Sequence, residues 1–249
     1  MKRRGKAKQV FLADCREKYP ASRQALEFRC RVVYSGVHSV NQREKIVPII
    51  LAAGRSAHLP FPKALAKFGA KTALAIAVEN CCELGRAIVV LGCDAELVYP
   101  AAPKGVRMVL NSRWRQGQLS SLLCALEHVP VRAAFLLYPV DHPLLQRETI
   151  RRLVAAFRAR KPSQQIVMPR YKLSYGHPVI VAAALREEFL RAKMAREVVY
   201  RVPKRIKTVP SRSTEIYEDF DTIESYRRCV RQFEARAART KALARSQED

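Results

Sequence analysis

Several residues in this chain have the types and spacing that phosphate chemistry requires. In the stretch Ile49–Leu65, IILAAGRSAHLPFPKAL, an apolar run leads into a turn at Gly54, followed by Ser56 and then by Pro62 and Lys63. Small residues in such a turn let backbone N–H groups approach phosphate oxygens, and a lysine neutralises their charge. Leu51, Ala52, Ala53, Gly54, Ser56 and Lys63 are therefore a candidate nucleotide-binding loop; the plain alternative is a strand ended by an ordinary glycine turn. A second apolar run, FLLYPVDHPLL (Phe135–Leu145), ends at Asp141, with His142 and Pro143 after it. A carboxylate at the end of a buried strand costs desolvation unless it meets a cation or a donor. Mg²⁺ shared with substrate phosphates is a natural partner, because Mg²⁺ takes one or two carboxylates plus phosphate oxygens and water. The alternative is that Asp141 caps the turn before Pro143.

Three further stretches carry polar groups at turns. In NSRWRQGQLSSLLCAL, Asn111–Leu126, a turn at Gly117 opens a helix, and Ser120 or Ser121 can cap it while presenting a hydroxyl to a ligand. A plain serine cap is the competing reading. In YGHPVIV, Tyr175–Val181, Gly176 and Pro178 make a turn from which His177 projects; a lone loop histidine is as often structural. In DFDTIESYRR, Asp219–Arg228, Asp221 is a second candidate carboxylate, Asp219 a weaker one, and Asp221 or Thr222 can instead cap the last helix.

These groups need a scaffold. Apolar strand patterns at Ile46–Ala53, Ala87–Leu91, Val106–Leu110, Ala133–Tyr138 and Gln165–Met168 alternate with helical patterns at Thr72–Leu84, Leu119–Val129 and Arg147–Arg160. That alternation predicts βαβ units and a mostly parallel sheet covered on both faces. Further strands are expected at His177–Ala182 and near Thr214–Tyr217, a helix around Leu185–Lys193, and a last helix from about Thr222 to Arg239. In an open α/β sheet, ligands bind beyond the carboxyl ends of the strands. Gly54 and Asp141 both follow such ends, which places them on one edge.

Composition narrows the class. The chain has 249 residues, enough for one α/β domain with appendages and a sizeable core. No apolar run approaches the roughly 18 to 20 residues of a membrane span, and the basic N-terminus lacks the apolar core of a secretory signal. Residues 1–45 read as a basic, partly disordered extension with a possible short strand at Val32–Val37, residues 46–239 as the domain, and 240–249 as a polar tail that frays. The seven cysteines are odd in number and show no CxxC spacing, which favours buried thiols in a reducing cytoplasm over disulfides or zinc. The net charge of +24 suits steering of an anionic substrate. It is spread along the chain without a zinc-finger or RNP-type motif, which argues against nucleic acid as the partner.

The loop resembles the LAAGxSxRMGxPKxL signature of the MobA-like nucleotidyltransferases. Leu51-Ala52-Ala53-Gly54, Ser56, Pro62 and Lys63 fit it, while His58, Leu59 and Pro60 replace Arg, Met and Gly. Asn111, Trp114, Gly117, Ser120, Ser121 and Leu122 fit the family's N-x-x-W-x-x-G-x-x-S-S-L segment, and Asp141, Gly176-His177-Pro178 and Asp221 fit three later motifs in the family's order. The resemblance spans about Ile46–Arg228. It implies a Rossmann-like three-layer α/β/α nucleotidyltransferase domain that moves a nucleotidyl group from an NTP to a phosphorylated acceptor. It further implies Lys63 and Asp141 as catalytic residues, with Asp141 and Asp221 as Mg²⁺ ligands. Nucleotide contacts would come from Leu51 to Gly54, Ser56, Lys63, Asn111, Ser120 and Ser121, and acceptor contacts from His142, Gly176 and His177. LAAG in place of LAGG leans towards CTP, a molybdopterin-type acceptor and a molybdoenzyme partner. The alternatives are a sugar-phosphate nucleotidyltransferase and a binding protein of the same fold that has lost triphosphate handling at His58 and Pro60.

Overall fold

The computed structural model describes residues 44–245. The expectations for residues 1–43, including the strand at 32–37, and for 246–249 lie outside the described residues. Among the described residues ten strands run in chain order: β1 Ile46–Ala52, β2 Lys67–Phe68, β3 Lys71–Thr72, β4 Ile88–Leu91, β5 Arg107–Leu110, β6 Ala134–Pro139, β7 Ile166–Tyr171, β8 Ser174–Tyr175, β9 Val179–Val181 and β10 Ile206–Pro210. The helices are α1 Ala73–Asn80, α2 Ala95–Val98, α3 Gln118–Leu126, α4 Arg147–Arg158, α5 Arg186–Arg191, α6 Ala195–Tyr200 and α7 Ile223–Arg245.

The main sheet has the order β10-β7-β9-β6-β1-β4-β5, with β8 as a short partner of β7. β1 pairs in parallel with β4 and β6, β4 with β5, and β10 with β7. Only β9, between β6 and β7, and the short β8 run antiparallel. The central strands are apolar at nearly every position because both faces are covered: β4 and β6 are buried throughout. Val47, Ile49, Phe135 and Leu137 face one core, which Leu119, Leu122 and Leu126 of α3 and Phe189 of α5 complete. Side chains alternate along a strand, so Tyr138 faces the other side, where Asn80 of α1 donates to its hydroxyl at 3.3 Å. Helix α4 lies beside α1 on that side, tied by Arg151 to Glu83 and by Arg147 to the Glu79 carbonyl. Its Ile150, Leu153, Val154 and Phe157 form one buried stripe at helical spacing.

Three expectations need correction, and two short elements add to them. The late strand near Thr214–Tyr217 is a 3₁₀ turn, Thr214–Ile216, and the edge strand is instead β10 at 206–210. β10 is only half-buried and alternates weakly, so it lacks the apolar signature of a central strand. The 67–72 hairpin, with two residues per strand, is too short to leave a pattern. Helix α7 continues to Arg245, past the expected fraying point. Glu44, assigned to the extension, packs on the domain: it pairs with Arg160 at 2.5 Å and accepts from the Ala183 N–H at 3.0 Å. The five described cysteines are free thiols, with Cys81 and Cys229 buried and Cys82 exposed. Among the described residues no helix is long and apolar enough to cross a membrane.

Candidate active site

The carboxyl ends of β1 and β6 meet at one edge of the sheet, and the loops that leave them carry the candidate chemistry. Asp141 lies two residues beyond β6; Lys63 opens the 3₁₀ turn Lys63–Leu65 in the loop after β1. The Lys63 Nζ donates to Asp141 Oδ2 at 2.8 Å and also pairs with Asp221 Oδ1. Two carboxylates from distant parts of the chain thus converge on one cation. Thr222 resolves the ambiguity at the last helix. Its Oγ1 accepts from the Ser225 N–H at 3.2 Å, while Ser225 Oγ accepts from the Thr222 N–H at 3.0 Å. Thr222 does the capping, which leaves the Asp221 carboxylate to reach Lys63.

Aromatic packing fixes this juxtaposition. Phe61 and Phe68, on either side of Lys63, stack edgewise on Tyr226 with centroids 5.2 and 5.5 Å apart, and Phe220 packs on Phe68 at 5.4 Å. The Tyr226 hydroxyl donates to the Lys67 carbonyl at 2.8 Å. These rings clamp the lysine loop to the segment that bears Asp221. Phe61, Phe220 and Tyr226 lie within the loop and last-helix segments and Phe68 just beyond the loop, but only their aromatic, apolar character marks them in the sequence.

Burial raises the pKa of Asp141, but the His142 hydrogen bond and charge and the Lys63 ammonium outweigh it and hold the carboxyl well below its usual range. Burial likewise lowers the Lys63 pKa, and the two carboxylates more than reverse that. Both groups are therefore charged at neutral pH.

A cavity of about 350 Å³ opens beside this pair. Leu51, Ala52, Ala53, Gly54, Ser56, Lys63, Ser121 and Asp141 all line it. Ser56 folds the loop back by accepting the Lys63 N–H at 2.8 Å. Gly54 faces open space rather than a crowded turn, so a Cβ there would meet no neighbour. The crowded glycine is Gly92, which sequence reasoning missed: a Cβ there would sit 2.4 Å from the Ala53 carbonyl oxygen and 2.8 Å from the Trp114 Cβ. Gly92→Ala should push the Trp114 turn away from β1. A loss of about 1–3 kcal/mol is expected from such overpacking, read as a lower urea midpoint; an unchanged midpoint would mean that the contact relaxes freely.

Asn111 and Ser120 do not line the cavity. Both are buried, and neither serine caps α3, whose N-cap is Gly117 at φ +92°. The Asn111 amide donates to Ser120 Oγ at 2.9 Å and to Ser121 Oγ at 3.0 Å, and Ser120 Oγ donates to the Gly117 carbonyl at 2.8 Å. Asn111 therefore holds Ser121, which of these three residues is the one on the cavity wall. His58 is exposed and lines neither cavity.

His142, Gly176 and His177 line a second cavity of about 230 Å³, together with Tyr175, Tyr200, Tyr217 and Asp219. His142 joins the two: its Nδ1 lies 3.1 Å from Asp141 Oδ1, and its ring meets that of His177 edge-on, with centroids 5.0 Å apart. Gly176 is obligatory, since a Cβ would sit 2.3 Å from the Ile216 carbonyl oxygen. Asp219 belongs to this second cavity and not to the carboxylate pair around Lys63.

The His177 Nδ1 is buried without a hydrogen-bond partner. Burial, reinforced by His142 and opposed by Asp141, lowers the His177 pKa from 6.5 to about 3. Between those values the unfolded chain binds a proton that the folded chain does not, so stability should fall as pH drops below 6.5, by up to ~1.4 kcal/mol per unit. His177→Gln should have a flatter profile in urea unfolding between pH 7 and pH 5. Parallel profiles would show that His177 does not contribute.

A glycine-bearing loop, a lysine and two convergent carboxylates thus stand, with a second cavity beside them, at the carboxyl edge of a mostly parallel sheet, where open α/β folds bind their ligands. The model of the MobA-like NTP transferase domain matches residues 48–208, most of the described chain. The chain belongs to that family, a family of nucleotidyltransferase-type enzymes. Among curated proteins, nicotine blue oxidoreductase of Paenarthrobacter nicotinovorans is 28% identical over 197 residues, covering 74% of this chain and 96% of the relative. Among solved structures, Rv0371c of Mycobacterium tuberculosis H37Rv superposes with a TM-score of 0.65 at 26% identity, over 75% of this chain and 98% of that one. The manganese complex of the same mycobacterial protein matches with a TM-score of 0.61 at 28% identity, over 76% and 98% of the two chains.

Proposed function

We propose that this enzyme is a Mg²⁺-dependent nucleotidyltransferase that moves a nucleoside monophosphate, with CTP the favoured donor, to a phosphorylated acceptor such as molybdopterin and releases pyrophosphate. The observation that carries this reading is the convergence of Asp141 and Asp221 on the single Lys63 ammonium at the rim of the loop cavity. A site that brings two hard oxygen donors onto one cation suits Mg²⁺ or Mn²⁺, with phosphate and water filling the remaining positions. Asp141 and Asp221 would hold the metal, whose chemistry is neutralisation of phosphate charge. A manganese complex of the mycobacterial relative accords with a divalent-metal requirement.

An acceptor phosphate oxygen attacks the α-phosphorus of the NTP, the bond from that phosphorus to the β-phosphate bridging oxygen breaks, and pyrophosphate leaves. In-line phosphoryl chemistry needs positioning and charge stabilisation more than covalent help. Lys63 supplies a cation to the α-phosphate, and the Gly54–Ser56 loop and Ser121 place the nucleotide. His142, adjoining Asp141 and lining the second cavity, orients the acceptor there with Gly176 and His177. A cytoplasmic setting and a molybdoenzyme that receives the product complete the proposal.

One observation favours a second reading. The curated relative carries an oxidoreductase name, and a loop that takes the phosphates of an NTP can also take those of a dinucleotide. Incubation with CTP, Mg²⁺ and molybdopterin distinguishes them. Stoichiometric pyrophosphate with a nucleotidylated acceptor supports transfer. Absence of pyrophosphate with every NTP, together with dinucleotide-dependent reduction of an aromatic substrate, supports the redox reading.

A further inference from the structure

The family signature places an arginine where this chain has His58, and His58 is exposed and off the cavity wall. Two arginines nevertheless line the cavity. Arg55 follows Gly54 on the loop, and Arg115 comes from the 3₁₀ turn Trp114–Gln116 that precedes α3. Among the described residues neither stands in an ion pair. Other arginines are engaged by carboxylates, as Arg151 is with Glu83 and Arg205 with Glu188. Arg115 also has a support: its guanidinium lies over the Trp114 ring, 4.4 Å from the centroid. Stacking on an indole leaves the in-plane N–H groups free to donate, which is the geometry suited to phosphate oxygens. Asp94, on the same cavity, offers only acceptors and suits hydroxyl or amino donors, not phosphate.

The geometry points to Arg115, assisted by Arg55, as the clamp on the donor's β- and γ-phosphates. Arg115 thus positions the leaving pyrophosphate from the α3 side, while Lys63 serves the α-phosphate from the other. This inference rests on the proposed nucleotidyl transfer.

The test is calorimetric binding, in Mg²⁺, of the four NTPs and of the di- and monophosphate of whichever binds. The proteins compared are wild type, Arg115→Gln, Arg115→Lys and His58→Ala. Arg115 is exposed, so the variants keep the fold. Arg115→Gln should weaken the triphosphate roughly tenfold, as expected for one charge-assisted contact, and leave the monophosphate unchanged. Arg115→Lys should recover part of the loss, and His58→Ala should match wild type. Equal losses for tri- and monophosphate would make Arg115 a base or sugar contact and overturn the clamp. So would unchanged triphosphate binding in Arg115→Gln, or a loss confined to His58→Ala. If wild type binds no NTP, the proposed transfer fails and the clamp fails with it; if wild type binds and Arg115→Gln matches it, only the clamp fails.

Discussion

Lys63→Met should lower turnover by roughly 10²–10³-fold, the range found when one preorganised stabiliser of developing charge is removed. The ammonium stands between Asp141 and Asp221, where the proposed metal and transferring phosphoryl group would also lie. Methionine keeps the stem's length and flexibility, so Phe61, Phe68 and Tyr226 still hold the loop. Two effects separate cleanly. Stability without metal should drop, because the two carboxylates then face each other without a cation, and Mg²⁺ should restore it. The loss of turnover should persist at saturating CTP and Mg²⁺, so kcat falls more than KM rises. Turnover equal to wild type would remove Lys63 from the chemistry and leave it a structural counter-ion.

Asp141→Asn should abolish the Mg²⁺-dependent part of nucleotide binding while leaving the cavity's shape intact. The change swaps one oxygen for a nitrogen at a side chain that is 21% exposed, and it deletes the partner of both Lys63 and His142. A neutral amide is a poor ligand for a hard cation that already has only one other carboxylate. The variant should also differ in acid. The Asp141 carboxyl is held below its ordinary value of 3.8 in the folded chain. Its contribution to stability is therefore present above that value and lost as pH falls through the folded one. Asp141→Asn lacks this contribution and should lose less stability than wild type on acidification below about pH 4. Calorimetry with and without Mg²⁺, and urea unfolding at pH 5 and pH 3, measure the two effects. Unchanged Mg²⁺ dependence would take Asp141 out of the metal site.

Much of this site could be read in the chain because the sheet does the positioning. Apolar runs at 46–52 and 134–139 announce buried strands, and the residues that follow such strands share an edge whatever lies between them. The convergence of Lys63 with Asp141 was legible on that ground. Asp221 was legible only as a motif position, since either it or Thr222 could have capped α7; the reciprocal Thr222–Ser225 bonds decide the matter. The functions of Asn111 and Ser120 were not legible. Spacing places both near the helix start, but only three-dimensional packing shows that Asn111 bonds both serine hydroxyls and that Ser120 is turned away from the cavity. Gly92 and the Phe61–Phe68–Phe220–Tyr226 cluster were missed because close backbone approach and ring packing depend on contacts distant in sequence. The strand at 206–210 escaped because an edge strand needs no continuous apolar run.

The most direct test of nucleotidyl transfer is to titrate CTP, GTP, ATP and UTP into the wild-type protein by calorimetry, with and without Mg²⁺. Binding of CTP that requires Mg²⁺ and exceeds that of the other three is the expected result. No binding of any nucleotide, or binding indifferent to Mg²⁺, would contradict a Mg²⁺-dependent nucleotidyltransferase built on Lys63, Asp141 and Asp221.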